Sequence, residues 1–252
     1  MSLLEKLFFP PKCSSCQKLL GIEISDCTAL CEDCRKLWES EMLETCGVCA
    51  KAVGKCACLT ERMQKAKCKG FYKLVYYVPA KKTPVQNRLI YTVKQTRDRR
   101  TVEFLAEELW HSMQALLREE AIEPERVILT YIPRSASAKL QYGTDQAKEL
   151  AVAVSRLSGI PMEALIHRKG GKANSQKKLD PVARYQNAKN SFDVAQNPRV
   201  DPKGKTVLLI DDIVTTGASI AVGTRLLRKM GAVDVYAFAI ASDIFNRDRA
   251  VY

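Results

Sequence analysis

Thr206-Val-Leu-Leu-Ile-Asp211-Asp212-Ile-Val-Thr215-Thr216-Gly217-Ala218-Ser219 is the stretch on which the reading of this chain turns. A short apolar run of β type ends in two carboxylates, and small hydroxyl-bearing or glycine-like residues follow. After them comes an amphipathic helix. The run has the continuous apolarity of a strand buried on both faces, as in a parallel sheet. Its loop then delivers backbone N–H groups and the Thr and Ser hydroxyls to a helix N-terminus, where anions bind. The acids cannot hold phosphate, but they can accept hydrogen bonds from sugar hydroxyls or hold the waters of a divalent metal. Phosphate beside a polyhydroxyl ring describes a ribose 5-phosphate.

Working outward, strand and helix patterns alternate. Phe71–Val78, Val127–Ile132 and Val233–Ile240 read as further strands. Val102, Leu105, Leu109, Met113 and Leu116 recur at helical spacing, as do Ala147, Leu150, Ala151, Val154 and Leu157 before Gly159 and Pro161. Ile220, Gly223, Leu226, Leu227 and Met230 form the apolar stripe of the helix after the motif, closed by Arg228, Lys229 and Gly231. Such alternation predicts an α/β fold with a parallel sheet that binds ligands at the carboxyl ends of its strands. The loop after Ile132, Pro133-Arg134-Ser135-Ala136-Ser137-Ala138-Lys139, falls on that same edge. Its Arg, Lys and hydroxyls suit a pyrophosphate, with Arg134 and Lys139 as candidate ligands.

The segment from His167 to Asn190 is basic, glycine-containing and poor in apolar residues. It reads as a mobile loop, from which Gln176, Arg184 and Asn187 can reach a ligand on closure. A plain surface loop is the competing reading. His167 and His111 are the only histidines. His111 falls within a helical pattern, and nothing recruits His167 as a base.

All ten cysteines precede Gly70. The asymmetry divides the chain into a cysteine-rich module, 1–70, and an α/β domain, 71–252. Cys13-x2-Cys16-x14-Cys31-x2-Cys34 has the spacing of a four-thiolate zinc ribbon. Cys46, Cys49, Cys56 and Cys58 can close a second site, although Cys68 can replace one of them. Cys27 is a spare. A polar segment with little core of its own folds around its metal, so the zinc is structural.

The 252 residues accommodate one α/β core plus a small module. A formal net charge of +12 suits acidic ligands, whether a pyrophosphorylated sugar, nucleic acid or both. No run reaches the roughly 20 apolar residues of a membrane span, so no membrane insertion is expected. Met1–Phe9 is apolar but carries Glu5 and stops at Pro10-Pro11, which predicts a short packed helix rather than a signal peptide. A cytoplasmic location is expected.

The motif resembles that of the type I phosphoribosyltransferases: an apolar strand, then D-D/E-x-x-x-T-G-x-S/T. Asp211, Asp212, Thr215, Thr216, Gly217, Ala218 and Ser219 all fit it. The resemblance implies that the acids contact the ribose hydroxyls of phosphoribosyl pyrophosphate (PRPP), that Thr215–Ser219 hold its 5-phosphate, and that Arg134 and the loop around it hold pyrophosphate with Mg2+. With the cysteine module in front, the layout is similar to the ComF family, associated with natural competence and DNA uptake. Tyr76-Tyr77-x-Pro79, Leu89-Ile-Tyr-x-x-Lys94, the Pro133 loop and Gln176 to Asn187 also match. The chain departs from that family at Lys139-Leu-Gln141-Tyr142-Gly143-Thr144-Asp145-Gln146, where a basic stretch is usual, though Gly143 and Gln146 remain.

Two functions follow from the resemblance. One is phosphoribosyl transfer to an unidentified acceptor, with Asp211 and Asp212 as the catalytic acids. The other is a non-catalytic component of the uptake machinery that uses the PRPP site for regulation. This second protein would bind single-stranded DNA through basic residues such as Lys169, Lys172, Lys177 and Lys178, beside a helicase-like partner.

Overall fold

The structure, a computed structural model, describes residues 8–21, 28–77, 84–95, 98–135, 139–140, 143–169 and 190–244, with the side chains of 94 and 95 excepted. Six helices and six strands carry the fold among them, with two single turns of 3-10 helix at Val53–Lys55 and Pro124–Arg126. In chain order they are α1 (Glu32–Met42), α2 (Glu61–Lys65), β1 (Gly70–Tyr76), α3 (Val85–Gln95), α4 (Arg99–Glu119) and β2 (Val127–Tyr131). There follow α5 (Gln146–Ser158), β3 (Ile166–Arg168), β4 (Phe192–Val194), β5 (Thr206–Val214), α6 (Ala218–Lys229) and β6 (Asp234–Ser242).

The expected parallel sheet is present. Its strand order is β1-β6-β5-β2 and every pairing is parallel; β3 and β4 form a separate antiparallel pair. Alternate residues of the central strands serve two cores. Leu208 and Ile210 join Tyr236, Phe238 and Ile240 beneath α4 and α5, whereas Val207 and Leu209 join Val235, Ala237 and Ala239 beneath α6. Continuous apolarity in β5 thus reflects burial on both faces. The helix stripe expected to end at Leu157 is buried only as far as Val154, because Leu157 lies in the solvent-facing last turn.

One boundary differs in a way that matters. The motif strand does not stop at Ile210 but runs on through both acids to Val214. Its partner β6 continues beside it, pairing Asp211 with Ala239 and Val214 with Ser242, while β2 ends opposite Ile210. The acids therefore sit on an overhang of β5 beyond the end of β2.

The cysteine-rich half shares a core with the sheet. Cys13, Leu30 and Trp38 are buried with Leu74, Phe104 and Ile240, and Trp38 meets Phe104 edge to face at 5.6 Å. Ser14 donates to Asp98, the N-cap of α4, at 2.9 Å, and Thr92 Oγ1 donates to the Ser14 carbonyl at 3.0 Å. Of the expected Met1–Phe9 helix, 1–7 lie outside the described residues, and Phe8 and Phe9 are exposed. No helix among the described residues is long and apolar enough to cross a membrane.

Candidate functional site: an acid pair, an anion loop and two tetrathiolate clusters

The overhang of β5 places Asp211 and Asp212 at the carboxyl edge of the sheet, followed directly by Thr215–Ser219. Gly217 is the N-cap of α6 with φ +70°, a left-handed conformation that glycine adopts without strain. The first N–H groups of α6 lack helical acceptors, and the helix dipole adds a fractional positive charge there. A cavity of about 50 Å³ opens at this point, lined by Asp211, Thr215, Thr216, Gly217 and Ser219 among others. Its size fits a small anion and excludes a base.

Asp211 is buried, and its Oδ1 accepts from the Asp212 amide at 2.9 Å. Burial, and then the Asp212 charge beside it, push the Asp211 carboxyl well above its ordinary value of 3.8. Asp212 is held differently, by an ion pair with the Arg134 guanidinium from the loop after β2. The sheet thus brings together all three groups that the sequence singled out: the acids, the anion loop and Arg134. Lys139 lies one step away, its Nζ 3.0 Å from Asp145 Oδ2, an oxygen that also accepts from the Arg134 amide at 3.1 Å. Gln176, Arg184 and Asn187 lie outside the described residues, as do Lys172, Lys177 and Lys178.

Two groups here went unrecognised in the sequence. Arg168, at the end of β3, stacks its guanidinium 5.0 Å from the Phe192 ring. Burial lowers its pKa, while the charges of Asp211 and Asp145 oppose that shift. Asp145 is the buried N-cap position of α5. Its only sequence signal was an acid directly before a helical pattern.

The cysteines form two groups, Cys13, Cys16, Cys31 and Cys34, and Cys46, Cys49, Cys56 and Cys58, each with its sulfurs within 4.8 Å of one another. Cys16 and Cys31 Sγ stand 3.7 Å apart, and Cys46 and Cys58 Sγ 4.0 Å. A tetrahedron with Zn–S bonds of about 2.3 Å has edges of about 3.8 Å, so the donor sets fit zinc. The two knuckles repeat one turn. Gln17 N bonds Cys13 O and Cys13 N bonds Lys18 O; Ala50 N bonds Cys46 O and Cys46 N bonds Lys51 O. Gln17 and Ala50, each following the second cysteine, both have φ near +60°. Burial raises the Cys13 and Cys46 thiols, but backbone donors outweigh it and bring them down to about 7 and about 6. Burial carries Cys34 up to about 12. Cys68 does not join the second group: its thiol faces the Gly70 and Val235 carbonyls. Cys27 lies outside the described residues. Lys73 stands within the apolar pattern of β1 and is 1% exposed, with Nζ 3.3 Å from Cys56 Sγ. A buried ammonium there would match the excess negative charge that four thiolates leave on one bound zinc.

The second group is also joined to the anion loop. Thr60 caps α2, two residues after Cys58, with Oγ1 accepting from Met63 N at 3.3 Å. A Cβ placed on Gly217 would lie 2.6 Å from Met63 Cε and 3.2 Å from Thr60 Oγ1. The loop turn therefore rests directly on α2.

Comparison with known proteins agrees with this geometry. The Phosphoribosyl transferase domain family matches residues 144–245, which include the acids and the loop. Competence protein F of Haemophilus influenzae is 30% identical over 118 residues, 47% of this chain and 50% of that one. A Nostoc ribose-phosphate pyrophosphokinase is 43% identical over 77 residues, covering 28% and 23% of the two chains. Among solved structures, the Mycobacterium smegmatis phosphoribosylpyrophosphate synthetase aligns at 20% identity with a TM-score of 0.35, over 56% of this chain and 34% of that one. The chain spans half or less of the length of these curated relatives. With its parallel sheet, its acid-and-loop motif and two cysteine groups fit for zinc, the chain is similar to Competence protein F, and its residues 144–245 match the Phosphoribosyl transferase domain family.

Proposed function

We propose that the carboxyl edge of the sheet binds PRPP with Mg2+, and that residues 71–252 act as a phosphoribosyltransferase domain behind a zinc-bearing module of residues 1–70. The observation that carries this is the convergence of three chemistries. An anion loop, an acid pair and a guanidinium meet within one sheet edge. Thr215–Ser219 hold the 5-phosphate through helix N–H groups and hydroxyls. Asp211 and Asp212 accept from the ribose hydroxyls. Arg134 turns from Asp212 to the pyrophosphate, for which its planar fork is suited. Asp211 and Asp212 would hold the waters of a Mg2+ ion, which when bound would supply positive charge beside the pyrophosphate.

Displacement at the anomeric carbon passes through an oxocarbenium-like state, so positioning and electrostatics do most of the catalysis. In this reading Asp212, once released by Arg134, stabilises that positive charge. The link to DNA uptake comes from the resemblance to Competence protein F and is part of the proposal. The test is pyrophosphate release on mixing the zinc-loaded chain with PRPP, Mg2+ and a panel of bases and nucleotides. Release abolished by Arg134→Ala supports transfer. A melting shift with PRPP and no release under any acceptor leaves binding without transfer; neither shift nor release ends the proposal.

A further inference from the structure

We infer that the groove between α4 and α5 is a separate nucleotide-binding site, contiguous with the acid–arginine cluster but distinct from it. The groove has a volume of about 640 Å³ and continues into a second recess of about 220 Å³ along the same two helices. The chain leaves β1 at the carboxyl edge of the sheet and passes through α3 into α4, and it leaves β2 at that edge into α5; Arg99 and Val102 at the start of α4 and Asp145 at the start of α5 line the same groove. The positive ends of both helices and the groove mouth thus open beside the ribose-phosphate site.

Glu149 lies in the lining of the groove, and Glu103 and Glu107 line the recess, where Glu103 is paired with Arg99; the rest of the groove lining has two characters that a ligand can use. Lys139, Lys148 and Arg156 supply cationic heads, and among the described residues Lys148 and Arg156 form no ion pair. Val102 and Val152 supply an apolar wall between them. A phosphate at the cations with a planar base against the valines satisfies both. A sugar phosphate alone leaves the wall uncovered, and a base alone leaves the cations unmatched. The volume is of the size that holds a drug-sized ligand, far above the 50 Å³ of the anion loop.

Asp145 joins the groove to the other site. It is 93% buried and lines the groove; its Oδ2 takes Arg134 N and Lys139 Nζ, while Oδ1 has no hydrogen-bond donor among the described residues. A buried carboxylate oxygen left without a donor costs free energy, and a base N–H is such a donor. A phosphate entering the groove competes with Asp145 for Lys139. Arg134, bonded to Asp145 through its amide and to Asp212 through its guanidinium, feels that exchange. Occupancy of the groove and of the ribose-phosphate site is therefore coupled, and the coupling is reciprocal.

The test is calorimetric titration of the zinc-loaded full chain with AMP and UMP, and separately with a short oligothymidylate, before and after saturation with ribose 5-phosphate. Wild type should bind a mononucleotide, Lys148→Glu/Arg156→Glu should weaken it at least tenfold, and Asp212→Asn should leave it within about twofold. Both charge-reversed side chains are exposed, so the fold should survive; an unchanged melting temperature checks this. If only the oligonucleotide binds, and the same pair of changes abolishes it, the nucleotide is taken as a unit of a strand. Binding lost in Asp212→Asn but not in the charge-reversed variant puts the nucleotide in the ribose-phosphate site and overturns the inference. No heat with any of the three probes overturns it as well, whatever ribose 5-phosphate does.

Discussion

At Asp211 two demands conflict. Folding disfavours a charge on a buried carboxylate beside Asp212, yet the proposed ribose-phosphate site needs a carboxylate there to accept from sugar hydroxyls. The sign follows from the raised pKa. Above the ordinary value near 4 the folded state holds this proton more tightly than the unfolded state, so the group's contribution to stability falls as pH rises. Asp211→Asn keeps the shape and removes the charge. It should melt several degrees above wild type at neutral pH, with the gap closing toward pH 4, while losing most of its affinity for ribose 5-phosphate. Melting curves across that range check it, and an equal or lower melting temperature at neutral pH contradicts the assignment. The acids and the small residues after them were readable in the sequence because their order is local. Asp145 and Arg168 were not, since their relation to Asp211 arises only when β2, β3 and β5 come together.

At the scale of elements, α2 has five residues, too few to be stable alone. Cys58 before it and Cys68 after it hold its ends, the first in the second thiolate group and the second against β6. Held this way, it presents Met63, fully buried, to the turn at Gly217. Met63→Ala should cost about 2–5 kcal/mol, the usual range for truncating a large core side chain. It should also speed hydrogen exchange at residues 215–220 without ligand, while zinc content stays at two per chain. Unchanged exchange in that loop would show that α2 does not support it. No periodicity in the sequence connects residues 60–63 with Gly217; only the packing of α2 on α6 does. Strand and helix identities, by contrast, were legible from apolar patterning. The end of β5 was misjudged because pairing with β6 carries the strand past its last apolar run, and local sequence does not record a partner's length.

Across the whole molecule, the thiolate groups and the sheet are parts of one packed body. The first group lies in the core shared with α4, and the second borders β1 through Lys73. If these groups hold zinc as proposed, removing it leaves buried thiols and an uncompensated buried ammonium. Chelation should therefore lower the melting temperature of one calorimetric transition for the whole chain. A second transition, with the sheet melting unchanged, would show that residues 1–70 unfold independently. The cysteine spacing announced both cysteine groups, and the turn repeated at Gln17 and Ala50 explains why the two knuckles look alike. What spacing could not show is that these groups pack against the sheet and beside its ligand edge. The central claim, that this edge grips a ribose 5-phosphate, is tested most directly by calorimetric titration of the zinc-loaded chain with PRPP in the presence of Mg2+. One-to-one binding, weakened at least tenfold by Asp212→Asn, is the predicted result; absence of heat from the wild-type chain would contradict it.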